Sequence, residues 1–199
     1  MTEKSAPTSS DPICRAAGRP RGFDADEALH AARDLFWRNG FEQTSLDDLI
    51  AGMGIGRSSF YACFGSKHET LIRALALYAR DSLASFETAI RAGTRPEMQI
   101  RAALLGLVDV DGGRRGCFLA NCLSEFGALD PQVDRIVQQQ LADLRMALHP
   151  PLAALRMPDP GRTAQLLLAL ALGAIALRKA GSTPDALTEL LGNGIDTVL

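Results

Sequence analysis

The stretch that decides the fold is Thr44-Ser45-Leu46-Asp47-Asp48-Leu49-Ile50-Ala51-Gly52-Met53-Gly54-Ile55-Gly56-Arg57-Ser58-Ser59-Phe60-Tyr61-Ala62-Cys63-Phe64-Gly65-Ser66-Lys67. Thr44 or Ser45 can cap a helix whose acids Asp47 and Asp48 suit its positive end, with Leu46, Leu49, Ile50 and Met53 on its buried face. Gly52 and Gly54 flank Met53 and permit a tight turn, after which the segment Arg57 to Phe64 carries Phe60 and Phe64 four residues apart. Helix, glycine turn and helix thus follow one another directly. The second of these helices opens on Gly56-Arg57-Ser58-Ser59, which puts a cation and two hydroxyls where the dipole favours negative charge. An external anion would resolve that anomaly. Free N–H groups, an Arg and hydroxyl donors at a helix start suit phosphate or base-edge contact. Lys67 repeats the anomaly at the next helix start, and Tyr61 adds a donor nearby.

Upstream, Asp24 with Glu27 forms a capping-box pattern, and Ala28, Leu29, Ala32, Leu35 and Phe36 make an apolar stripe that Gly40 stops. Downstream, Ser66 with Glu69 opens a long helix from Lys67 to about Ala92. Pro96, Pro131, Pro160 and Pro184 each read as a first helical position. No strand-like alternation occurs, so the expected fold class is all-α. Residues 1–22 are rich in Pro, Ser, Thr and Gly without periodicity and read as a flexible basic arm carrying Arg15, Arg19 and Arg21. The run Leu166 to Leu177 is apolar almost all round, contains Ala169, Ala171, Gly173, Ala174 and Ala176, and is too short for a membrane span. With the helix after Pro184 it is expected to build a four-helix dimer interface over about residues 161–199.

The balance of 21 Lys+Arg against 23 Asp+Glu in 199 residues, with 47% apolar residues, excludes a disordered chain and a polybasic coat for nucleic acid. Residues 15–73 hold eight cations and eight acids, but their placement is uneven. Acids sit in the first turns of supporting helices, and cations sit in the arm and at the two later helix starts. Four cysteines are too sparse for a disulfide scaffold and no secretory leader opens the chain, so a cytoplasmic location is expected. His30, His68 and His149 show no metal-ligand spacing with the thiols, and neither a Gly-x-Ser-x-Gly elbow nor a phosphate-binding glycine loop is present. The reading is therefore no enzyme, no cofactor and no metal. A helical adaptor that does not bind DNA and a small helical enzyme are the alternatives.

Over about residues 22–73, the turn glycine, the Tyr61-x-x-Phe64 spacing and the Phe64-Gly65-Ser66-Lys67 ending resemble the DNA-binding module of the TetR family of bacterial transcriptional regulators. Gly116-Cys117-Phe118-Leu119-Ala120-Asn121 is similar to a segment found in a subset of members. The resemblance implies a homodimeric repressor acting on a near-palindromic double-stranded DNA operator and released by a small-molecule effector. It implies a helix-turn-helix head at 23–68 and, joined to it by the long helix, a ligand-binding and dimerisation domain at 69–199. Thr44, Tyr61 and Lys67 match phosphate contacts, Arg57, Ser58 and Ser59 match the groove-facing start of the recognition helix, and Arg19 and Arg21 match an arm beside the duplex. Two positions depart from the family pattern: Gly56 replaces a Ser or Thr cap, and Cys63 replaces a His or Tyr that touches phosphate.

Candidate effector residues in the C-terminal part are Asn121 and Glu125, four apart, with Phe118, Phe126 and His149. Cys117 and Cys122 suggest a thiol or electrophile sensor. Arg114, Arg115 and a helix start beside Cys117 favour a thiolate, while a five-residue spacing sets the two thiols about 140° apart on one helix.

Overall fold

The computed structural model describes residues 23–109, 113–126 and 129–199. The arm with Arg19 and Arg21 lies outside the described residues, among which every regular element is helical. Asp24 accepts from the N–H groups of Asp26 at 2.8 Å and Glu27 at 3.2 Å to open α1 (Ala25–Asn39). Gly40 ends it at φ +84°, a left-handed value that favours glycine. Ser45, not Thr44, caps α2 (Leu46–Gly52) in a reciprocal box with Asp48. Gly54, at φ +66°, turns the chain into α3 (Arg57–Phe64). Ser66 caps the 26-residue α4 (Lys67–Ala92), about 39 Å long. There follow α5 (Pro96–Val108), a 3-10 turn at Gly113–Arg115, α6 (Phe118–Phe126), α7 (Pro131–Ala154), α8 (Pro160–Ala180) and α9 (Pro184–Val198). Proline opens α5, α7, α8 and α9, where its missing N–H has no intrahelical acceptor to lose.

Two apolar cores lie along α4. The first joins Leu29, Phe36, Leu49, Phe60 and Phe64 of the three short helices to Leu71 and Leu75 of α4, and takes Phe118 and Cys122 from α6 and Val133 from α7. This core therefore draws on both sides of residue 68: three short helices expose too much apolar surface to close on themselves. The second packs Phe86 of α4 with Ile100 and Leu104 of α5, Leu148 of α7, Leu167 and Ala171 of α8, and Leu191 of α9. By length and composition α8 reaches what a membrane span needs, because the helix outruns its apolar sequence stretch. It nevertheless sets Ala164, Leu167, Leu168, Ala171, Ala174 and Ile175 into the protein interior. Arg178 on the same helix is 5% exposed and donates to the carbonyls of Asp109 and, at 3.2 Å, Gly116, tying α8 to the segment before α6.

One polar clasp joins the start of α4 to the start of α7. His68 Nε2 lies 2.5 Å from Asp130 Oδ2, and the same carboxylate caps α7 by accepting from the N–H groups of Gln132 and Val133. The His68 hydrogen bond, followed by the two capping N–H groups, holds the Asp130 carboxyl below its ordinary value against the opposing effect of burial. A carboxyl lowered in the folded state contributes stability above the ordinary carboxylate range and loses it as pH falls through the lowered native value. Asp130→Asn is thus expected to lower the melting temperature at pH 7, with the gap to the natural protein closing in strong acid. Thermal unfolding of both proteins from pH 7 to pH 2 checks this; a gap independent of pH would contradict it.

Candidate nucleic-acid interface

Phe60 and Phe64 anchor α3 with no measurable exposure, their rings stacked at 6.0 Å, and Cys63 is buried beside them. This fixes the opposite face of α3 outward. Arg57, Ser58, Tyr61 and Ala62 are exposed and Ser59 is half-buried. Gly56 supplies no side-chain cap, so the first N–H groups of α3 keep their donor capacity. At the other end, Arg73 Nη1 donates to the Cys63 carbonyl at 2.7 Å. The ring of Tyr61 meets Phe60 edge-on at 5.6 Å and the residue remains 51% exposed.

The cation at the start of α3 already has an anion within the chain. Arg57 pairs with Asp47 of α2, because the turn brings the first turns of the two helices side by side. The sequence reading missed this: it treated Asp47 only as a partner for the dipole of its own helix. Both side chains are well exposed, so the pair adds about 0–1 kcal/mol and is readily exchanged for a phosphate or a base edge. Asp47 still places negative charge beside the candidate interface. Asp47→Asn is therefore expected to tighten binding to duplexes of any sequence several-fold, with a steeper dependence on salt. Titrations of unrelated duplexes at two salt concentrations check it, and unchanged affinity would contradict it.

One expected contact is corrected. Thr44 is fully buried and its hydroxyl donates to the Gly40 carbonyl at 2.7 Å, so it closes the turn between α1 and α2 rather than offering a donor to phosphate. Cys63 is 6% exposed and packs inward. Lys67 is half-buried with Nζ 4.2 Å above the ring of Phe41, a cation–π contact.

Phe41 is the centre of a junction that no sequence pattern revealed. Its ring also meets Phe36 at 5.9 Å, Phe126 at 5.1 Å and His68 at 6.4 Å. The Glu125 carboxylate accepts from the N–H groups of Phe41 at 3.0 Å and Glu42 at 2.8 Å. Glu125 and Phe126 thus fasten α6 to the turn before α2, and Glu125 also lines, with Asn121, Cys122 and Lys179, an open cleft between α1, α6 and α8. Phe118 and His149 stand apart from that cleft. Phe118 is fully buried between Trp37 and Tyr78. Asn121 donates to the Arg115 carbonyl at 2.8 Å and accepts from Lys179 Nζ at 2.7 Å, while His149 is exposed on α7.

The two thiols have different surroundings. Cys122 is 2% exposed, and burial, then Glu125 and Cys117, push its thiol up to about 12, the opposite of an activated thiolate. Arg115 stacks on Trp37, with Cζ 4.4 Å from the ring centroid. Cys117, just before α6, has its Sγ 3.8 Å from the Tyr78 hydroxyl, and burial followed by the adjacent Cys117 raises the Tyr78 phenol above its ordinary value. Cys117 lines an apolar cavity of about 100 Å³ between α4, α6, α7 and α8, together with Tyr78, Leu119, Gln140, Leu144 and Ile175.

A buried aromatic anchor, a glycine turn and an outward helix start bearing a cation and hydroxyls define the class: a helix-turn-helix transcriptional regulator. Residues 28–75 match the profile described as bacterial regulatory proteins, tetR family. The chain is 31% identical over 147 residues to YezE of Bacillus subtilis, an uncharacterized HTH-type transcriptional regulator, covering 72% of this chain and 75% of that one. The chain belongs to the TetR family. The transcriptional repressor ComR of Escherichia coli is 43% identical over 70 residues, 35% of this chain and 33% of ComR. A TetR-family regulator from Streptomyces coelicolor has the same fold, with a TM-score of 0.78 at 23% identity over 87% of this chain and 86% of that one. So does CifR, solved as a cysteine mutant bound to a 26 bp operator, with a TM-score of 0.75 at 24% identity over 90% of this chain and 98% of that one.

Proposed function

We propose that this regulator is a homodimeric repressor whose two α3 helices read a near-palindromic operator, and that a small molecule acting on residues 69–199 releases it. The exposed start of α3 carries the reading: an uncapped N-terminus with Arg57, Ser58, Ser59 and Tyr61 on one outward surface. Backbone N–H groups and Tyr61 set the register on phosphates, Arg57 exchanges Asp47 for a guanine edge, and the serines contact neighbouring bases. Lys67 joins them by leaving the face of Phe41. Residues 23–68 form the reading head, and α8 with α9 forms the dimer face. On that face Leu166 is 53% exposed, Leu172 38%, Leu177 45% and Leu190 38%, more apolar surface than an isolated protomer needs to leave open. Two heads on a symmetric dimer address half-sites about one helical turn apart, about 34–36 Å.

Sequencing the genomic fragments retained by the purified protein tests this reading. The expected product is one enriched, near-palindromic motif; enrichment of no motif would overturn it.

A covalent variant of effector release is favoured by one observation, the Cys117 thiol on the cavity wall. If an electrophile acts there, Cys117→Ser abolishes operator release by that electrophile while leaving DNA affinity unchanged. Release that persists in the variant removes Cys117 as the trigger.

A further inference from the structure

The open cleft between α1, α6 and α8 carries an uneven charge. Arg38 in the last turn of α1, Arg114 and Arg115 of the 3-10 turn and Lys179 in the last turn of α8 line it, against the single carboxylate of Glu125. That carboxylate is already occupied by the N–H groups of Phe41 and Glu42. All four cations are exposed, and none of them forms an ion pair among the described residues. Specific contacts place them. Arg115 stacks on Trp37, itself part of the cleft wall, with Cζ 4.4 Å from the ring centroid. Lys179 Nζ donates to Asn121 Oδ1 at 2.7 Å, which leaves two of its three N–H groups for another acceptor. Gly181, at φ +106°, makes room for Arg114, because a Cβ there would collide with the guanidinium. Like charges gathered in one cleft repel one another, and a bound anion removes that repulsion.

The geometry points to a binding site for a small organic dianion whose charges lie on oxygen, with Arg114 and Lys179 as its main donors. Three observations set the class. Guanidinium groups match the oxygens of phosphate and carboxylate in paired hydrogen bonds, and the ammonium of Lys179 adds a point charge beside them. Four cations against one occupied carboxylate favour an occupant with more than one negative charge. The cleft holds about 560 Å³, within the ~300–1,000 Å³ typical of small-molecule sites, so it has room for a carbon frame as well as the acidic groups. Such a site is separate from the cavity lined by Cys117, and its occupant binds whether or not DNA is released. The backbone of a DNA duplex is the competing source of the same phosphate chemistry.

Isothermal titration of the full-length protein at pH 8 with phenyl phosphate, benzoate and benzamide, which put two, one and no negative charges on the same ring, tests the site. Phenyl phosphate is expected to bind about tenfold tighter than benzoate, and benzamide not to bind at millimolar concentration. Arg114→Gln combined with Lys179→Gln is expected to weaken phenyl phosphate about tenfold or more. Arg95→Gln removes an exposed cation at the start of α5, outside the cleft, and should leave phenyl phosphate binding unchanged. Arg38→Gln with Arg114→Gln serves the same purpose if the first double variant does not fold. Absence of phenyl phosphate binding at millimolar concentration overturns the inference, as does equal binding of benzamide. So does unchanged binding in a folded cleft variant, or an equal loss in Arg95→Gln, which would mean a general charge effect only. Unrelated duplexes titrated against the same samples separate the two phosphate sources. The cleft variants are expected to hold DNA as the natural protein does, and a loss of about tenfold or more would assign these cations to the DNA backbone and overturn the small-anion site.

Discussion

Arg57→Ala is expected to lower operator affinity by about a hundredfold and to relax discrimination at one position in each half-site. A bidentate contact from Arg to guanine is worth about 1–3 kcal/mol of discrimination, and a symmetric dimer loses it twice. The loss should come with little damage to the fold. Arg57 touches solvent on one side and, among the described residues, pairs with the exposed Asp47, so stability should change by less than about 1 kcal/mol. Fluorescence anisotropy with operator and with single-base variants reads both effects. If Arg57→Ala binds the operator as the natural protein does, the start of α3 is not the reading surface.

Charging the exposed face of α8 is expected to have a larger effect. Ala169 and Leu177 are exposed on that helix, while its opposite face fills the second core with Leu167, Ala171 and Ala174. Ala169→Glu combined with Leu177→Glu should therefore leave the protomer folded but set like charges against each other across an apolar dimer interface. Sedimentation should report a monomer. Affinity for the palindrome should fall by about 10²–10⁴, because the second head no longer binds from a site already occupied by the first. A double variant that remains dimeric would move the interface elsewhere. The same titration on a half-site duplex should show little change, since each head keeps its own contacts.

The fold was largely legible because its signals are local. Asp24, Ser66 and the prolines that open α5, α7, α8 and α9 announce helix starts with side chains acting within a few residues. The outward face of α3 was readable for the same reason: Phe60 and Phe64, four apart, define the face that must be buried. What escaped the sequence depends on contacts between distant segments. The pairing of Arg57 with Asp47 requires the turn geometry. The capping of Phe41 and Glu42 by Glu125 spans more than eighty residues, and no periodicity reports it. Thr44 and Ser45 are equivalent as cap candidates by residue type, and only the packing of α1 against α2 decides that Thr44 turns inward. In the C-terminal half, Asn121 and Glu125 join elements of the fold while lining one cleft with Cys122, and residue spacing does not report those long-range contacts. Pro150 and Pro151 lie inside α7, a placement that helix-breaking rules alone would not give.

The central claim, a dimer that reads sequence through α3, is tested most directly by one comparison. The affinity of the full-length protein for the motif selected from its genome is measured against a scrambled duplex of equal length, at one salt concentration near the physiological value. A ratio of about 10³ or more in favour of the motif is the expected result for specific readout. Equal affinity for the two duplexes would contradict it.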